Sequence, residues 1–171
     1  MKKQHLNQFI NLFWTALCCI PLVVYWFQAD AHLWLYVFLG LSLLVACLPI
    51  KFYRRIQLSN KSRFYESLGV KLARKFTQNG DLVNRLVRKN NPTHRIIKNR
   101  HQSLRYRKTM MMYEKYHYLG LIFFFLTALH ALLNLKIGAA IWITLLNIVY
   151  NIYPILLQQY NKIRLERLSL K

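Results

Sequence analysis

Glu114 and His117 stand three residues apart, a spacing that puts both side chains on one face of a helix. A carboxylate beside an imidazole holds its tautomer and stabilises the imidazolium, so the histidine can take a proton from a hydroxyl nucleophile and return it to a leaving group. That chemistry suits acyl transfer. The same two residues admit a plainer account, in which Glu114 pairs with one of the many nearby cations and His117 is an interfacial polar residue. Glu-x-x-His also occurs in di-iron bundles, which need a second copy and two further carboxylates. With one such motif and five acidic residues in the whole chain, metal oxidation chemistry is not expected. His94 and His101 complete no recognised ligand set, and no metal site is assigned.

A second polar set lies toward the C-terminus. Asn147, Asn151, Pro154, Gln158 and Asn161 recur at increments of four and three, which makes one stripe along a helix whose other faces are apolar. Polar groups are costly in lipid, so the stripe is expected to face protein, water or a substrate. Amide packing against another helix would satisfy it equally well. Pro154 allows a kink that frees a backbone carbonyl. His130 and Asn134, one turn apart, read as structural.

The elements that must position these groups are apolar. Hydrophobic residues make up 55% of the 171, and they gather in two blocks separated by a polar, basic middle, which excludes a single soluble core. The first block divides into spans 9–27 and 33–50, the second into 118–135 and 137–157, and none of the four contains a charge. Each is near the roughly 20 residues a helix needs to cross ~30 Å of hydrocarbon. The expectation is an all-α integral membrane protein, one domain over 1–171, with four transmembrane helices arranged as two hairpins. A barrel would show many alternating segments, and these runs are apolar on all sides.

Seven of the 25 Lys and Arg (Lys2, Lys3, Lys136, Lys162, Arg164, Arg167 and Lys171) lie outside residues 51–117, leaving 18 in that loop. The bias places the loop and both termini on the cytoplasmic side. Lys2 and Lys3 before an apolar run, with Ala29-Asp30-Ala31 beyond it, also have the form of a secretory signal. Against cleavage stand the length of the run and bulky Trp26 and Phe27 beside the site.

Within the loop, cations alternate with Phe52, Tyr53, Phe64, Tyr65, Leu68, Leu72 and Phe76, as in short amphipathic helices lying among anionic headgroups. Turns are signalled at Gly80-Asp81 and at Asn90-Asn91-Pro92. The charge would also suit a phosphorylated substrate such as coenzyme A. No nucleic-acid module is recognisable, so no nucleic-acid partner is expected. No Gly-rich phosphate loop is present, which leaves ATP hydrolysis and hydride transfer unsupported. Cys18, Cys19 and Cys47 fall in apolar spans without zinc or disulfide spacing and read as packing residues.

Taken together, Glu114-x-x-His117, Asn151-x-Tyr153-Pro154 and Gln158-x-Tyr160-Asn161-x-x-Arg164-Leu165 resemble the bacterial glycosyl-4,4'-diaponeurosporenoate acyltransferase family, over roughly residues 64–165, with Tyr65, Glu66 and Gly69 as a weaker outer match. Gln159 stands where a basic residue is expected, Ile163 where proline is common, and Tyr118 where a Trp follows the histidine. The resemblance implies a small multispan protein of the bacterial cell membrane that esterifies the sugar of a glycosylated carotenoid with a fatty acid. It implies no tightly bound cofactor, an acyl donor such as acyl-CoA as co-substrate, and a lipid-soluble glycosylated acceptor.

On that reading His117, oriented by Glu114, deprotonates a sugar hydroxyl. Arg105, Arg107, Lys108 and Arg164 hold the head of the donor, while Asn147, Asn151, Gln158, Tyr160, Asn161 and Glu66 bind substrate or stabilise the oxyanion. No Ser, Cys or Thr nucleophile is clearly placed, so direct transfer is expected rather than an acyl-enzyme. The alternative is a non-catalytic scaffold whose loop docks anionic lipid or acidic proteins. Nothing in the sequence specifies an oligomeric state.

Overall fold

Where the sequence is continuously apolar the chain is helical, and the helices run past the apolar stretches. A computed structural model describes residues 3–90 and 100–169, and every regular element among them is a helix. α1 (Lys3–Gln28) and α2 (His32–Cys47) follow the first apolar block. Four short helices form the loop: α3 (Ile50–Arg55), α4 (Ser62–Ser67), α5 (Val70–Lys75) and α6 (Asp81–Asn90). α7 (Arg100–Leu133) and α8 (Ile137–Asn147) follow, and a π turn (Ile148–Ile152) joins α8 to α9 (Tyr153–Ser169). The expected turn at Asn91-Pro92 lies outside the described residues.

Two boundaries differ most from expectation. α7 begins at Arg100 and not at 118, so the basic loop ends before it, and Glu114 and His117 sit inside a helix rather than at its mouth. Residues 100–117 contain no Gly or Pro, and their Arg, Lys, Gln, Met and Leu are good helix formers, so charge alone does not stop the helix. The last apolar segment likewise continues beyond 157 to Ser169, because Pro154 falls in the first turn of α9. A missing N–H is tolerated there.

Among the described residues, three helices are long and apolar enough to cross a membrane: Lys3–Gln28, Arg105–Leu133 and Ile137–Arg167. α2, with 16 residues, rises only about 24 Å.

α7 is the central element and packs against α2, α8 and α9. Ala128, Ala131 and Ala140 are buried among Trp26, Phe38, Phe124 and Ile143. Small residues at such contacts let helix backbones approach closely. The Trp26 indole donates to Thr127 Oγ1 at 3.2 Å, which satisfies its only polar atom in an apolar setting. His130 accepts or donates a 2.6 Å hydrogen bond with the Tyr25 hydroxyl and stacks on Trp26, in keeping with the structural part expected of it. Lys115 closes the end of α2 by donating to the carbonyls of Leu48, at 2.8 Å, and Ala46, at 3.3 Å. A cation is favourable at a helix C-terminus.

A smaller core fastens the loop helices to α9 through Tyr65, Val70, Leu156, Leu157, Tyr160 and Ile163. Gly69 enters α5 with φ +77°, the left-handed region that favours glycine. The start of α1 is tied to the same region. Asn7 and Asn79 exchange two hydrogen bonds of 3.1 and 2.8 Å, and the Trp14 indole donates to the Phe76 carbonyl at 3.0 Å. The first turns of α1, the loop helices and α9 thus meet at one end of the bundle.

Candidate active site

At that end a cavity of about 770 Å³ opens between α1, the loop helices, α7 and α9. Its wall includes His117 from α7, Tyr150 from the π turn and Gln158, Asn161 and Arg164 from α9, with Arg74 and Arg88 from the loop. Ile10, Trp14 and Leu72 supply part of the apolar side. His117 and the C-terminal half of the polar stripe therefore share one space. A histidine, two amides and arginines around a volume suited to a drug-sized molecule can bind a polar head and move a proton.

Glu114 is not part of this wall. Its carboxylate turns to α9, where Lys162 Nζ lies 2.7 Å from Oε2 and Gln159 Nε2 donates to Oε1 at 3.2 Å. Both oxygens are engaged, and His117 is not among their partners. A spacing of three allows the contact, but a buried carboxylate goes to the cation that neutralises it, and Lys162 supplies that charge. The expected Glu114–His117 dyad is thus absent from the geometry.

Gln159 organises this second, buried network. It donates to Glu114 and to the Tyr118 hydroxyl at 3.2 Å, and its Oε1 accepts from the Tyr65 hydroxyl at 3.0 Å and from the Leu58 N–H at 3.2 Å. A glutamine amide has two donors and an acceptor oxygen with two lone pairs, so every capacity is used. The residue that departs from the resemblance at this position ties α7, α9 and the loop together.

Asn147 and Asn151 also stand off the cavity. Asn147 Nδ2 donates to the Leu121 carbonyl at 3.1 Å, and Asn151 Nδ2 donates to Asn147 Oδ1 at 2.8 Å. The two amides form a ladder against α7, the packing alternative for this half of the stripe. His117 Nδ1 and Asn151 Oδ1 are both buried without a hydrogen-bond partner.

Of the four cations expected to hold a donor head, only Arg164 lines the cavity; its guanidinium lies 5.4 Å from the centre of the Tyr160 ring. Arg107 instead faces Glu166 at 3.6 Å, and Arg105 and Lys108 are not part of the cavity wall. Arg74 is held by Asp81 at 3.0 Å. Among the described residues neither Arg88 nor Arg164 is paired with a carboxylate. Tyr160 and Glu66 are likewise outside the cavity and bond each other: the Tyr160 hydroxyl donates to Glu66 Oε1 at 3.0 Å, and Lys71 lies 2.8 Å from Oε2. Hydrogen bonds from Lys71 and Tyr160 hold the Glu66 carboxyl below the usual carboxylate range.

Sequence reasoning missed Arg74, Arg88 and Lys162. Lys162 had a signal: it follows Gln159 by three residues, so the two share a face that could meet the lone carboxylate of α7.

Three long apolar helices in an all-helical architecture make this a membrane protein. A family model described as glycosyl-4,4'-diaponeurosporenoate acyltransferase matches residues 49–171, and the chain belongs to that family. The matched region holds all of the cavity wall except the part contributed by α1. No protein of curated function and no solved structure matched the chain.

Proposed function

We propose that the protein transfers a fatty acyl group to a sugar hydroxyl of a glycosylated carotenoid or a related isoprenoid glycolipid, within the bacterial cell membrane. The observation that carries this reading is His117 on a cavity wall with Gln158, Asn161 and Arg164 around it. The cavity accommodates the two reacting heads, and their long chains extend into the bilayer past Ile10 and Trp14. His117 takes the proton of the sugar hydroxyl as its oxygen bonds to the acyl carbonyl carbon. Gln158 and Asn161 donate to the oxyanion that develops, the carbon–sulfur bond of a thioester donor breaks, and the thiolate leaves with that proton.

Arg88 and Arg164 suit a phosphate-bearing donor such as acyl-CoA, since guanidinium groups bind phosphate in a fork. No tightly bound cofactor enters the scheme. The topology that fits has four crossings, with α2 accommodated at a cost of fractions of a kcal/mol per Å of mismatch. Both termini and the loop then face the cytoplasm, and the loop cations meet anionic headgroups. The hydrogen bonds from α1 to Phe76 and Asn79 support placing the N-terminus and the loop on one side.

The test is mass-spectrometric lipid and pigment profiling of carotenoid-glycoside-producing cells that make the wild type, His117→Ala or no protein. An acylated glycolipid found with the wild type alone, with its precursor accumulating in the other two, is the expected result. Identical profiles in all three would overturn the reading in favour of a scaffold.

A further inference from the structure

We propose that Asn151 is the positioning residue of His117, holding the ring with its proton on Nδ1 and its lone pair on Nε2, toward the cavity. The part Nε2 then plays rests on the acyltransferase reading. The tautomer is a property of the resting protein and can be tested without it.

An imidazole base works in one tautomer, fixed by a hydrogen bond at its other nitrogen, and the Glu114 carboxylate has both oxygens committed to Lys162 and Gln159. The ring instead adjoins the Asn151 side chain and the Tyr150 backbone. His117 Nδ1 and Asn151 Oδ1 are each buried and each without a partner. An unsatisfied buried polar atom costs about 1–3 kcal/mol, and one bond between these two would relieve both.

The direction of that bond is set by the backbone. The Leu121 carbonyl can only accept, so Asn147 must present Nδ2 to it. Asn147 Oδ1 then faces Asn151 and requires Nδ2 there, at 2.8 Å. Asn151 is left with Oδ1 at the open end of the ladder, and an acceptor is completed only by a protonated nitrogen. Flipping Asn147 breaks its bond to Leu121, and flipping Asn151 breaks its bond to Asn147.

Two features aim this oxygen. Oδ1 lies against Gly120, where a Cβ would stand only 2.3 Å from it, so no larger residue at 120 leaves Asn151 in place. Asn151 also sits in the π turn Ile148–Ile152, a local widening of the kind often found at functional sites. Pro154 has no N–H to offer the Tyr150 carbonyl one α-turn back, so that carbonyl is a second acceptor next to the ring. Two acceptors at the buried side of an imidazole both disfavour a lone pair there.

The experiment is ¹⁵N NMR of full-length protein labelled at histidine, in lipid nanodiscs, with His117 assigned by difference from His117→Gln. The expected wild-type signature is a protonated Nδ1 and an unprotonated Nε2. Asn151→Ala and Gly120→Ala should each give a mixture of tautomers, the second without removing the asparagine. In acyl transfer, Asn151→Ala should lower kcat by tenfold or more with little change in the KM for the donor.

A wild-type lone pair on Nδ1, or an unchanged single tautomer in both alanine variants, would overturn the proposal. Should the variants fail to fold, the wild-type spectrum still decides. The predicted tautomers without acyl transfer by any form would sink the acyltransferase reading and leave the positioning of His117 standing.

Discussion

Lys162→Met should destabilise the protein strongly, and the further change Glu114→Gln should restore most of the loss. The pair is almost dry: the side chains are 8% and 1% exposed, with N and O 2.7 Å apart. At an effective dielectric near 20 their attraction is about 6 kcal/mol, and the cost of desolvating the two ions is several kcal/mol each. The intact pair therefore contributes little net stability. Removing Lys162 leaves the desolvation of Glu114 uncompensated, for an expected loss of about 3–5 kcal/mol. Glu114→Gln alone should cost less, because the lysine stem can carry its ammonium toward water. The double variant replaces both charges, keeps an acceptor for Gln159, and should lie within about 1–2 kcal/mol of the wild type.

Thermal or denaturant unfolding in one detergent gives the coupling through the double-mutant cycle. Acyl transfer by the double variant is the second readout. A Lys162→Met protein as stable as the wild type would refute the reasoning, as would a double variant no more stable than Lys162→Met. A folded but inactive double variant would return Glu114 to the chemistry.

Gln159→Leu should cost about 2–4 kcal/mol, since it strands Glu114 Oε1, the Leu58 N–H and the Tyr118 hydroxyl at once, while the Tyr65 hydroxyl keeps its bonds to Ser59. Thermal unfolding checks it, and proteolysis should show the segment around Leu58 loosened first. Arg88→Gln and Arg164→Gln should each raise the KM for a phosphate-bearing donor by about tenfold while kcat falls less, with the wild-type KM rising with salt. Steady-state kinetics at two ionic strengths measures this. The Glu66 carboxyl lies lower in the folded protein than its ordinary value of 4.5, so its stabilising effect is complete above that value. It is lost as pH falls through the folded value, and Glu66→Gln should show a flatter acid-unfolding profile below about pH 4.5 than the wild type.

The helices were legible because twenty apolar residues in a row leave the backbone no other way to satisfy itself in lipid. Their ends were not. Charge marks where a helix leaves the hydrocarbon, and α7 leaves it without ending, so residues 100–117 read as loop although they continue the helix. His117, Gln158 and Asn161 were found by type and spacing and Arg164 through the family resemblance, and all four line the cavity. Glu114 was found for the same reason and lies elsewhere, since spacing fixes which face a side chain leaves from and a partner on another helix decides where it goes. Arg74 and Arg88 could not be singled out from sequence, because in a loop with 18 cations only packing against α1 and α9 shows which of them turn inward.

The polar stripe of the last helix carries two functions in one periodicity. Asn147 and Asn151 hold α8 and the π turn to α7, and one helical stretch further on Gln158 and Asn161 face the cavity. The change of role falls at the π turn and Pro154, where the extra residue per turn rotates everything downstream relative to α7. On an unbroken α-helix, increments of four and three would keep all five residues on one neighbour. With the widening, the first half of the stripe can pack while the second half faces open space, and His117 sits opposite the changeover, beside Asn151 on one side and the cavity on the other.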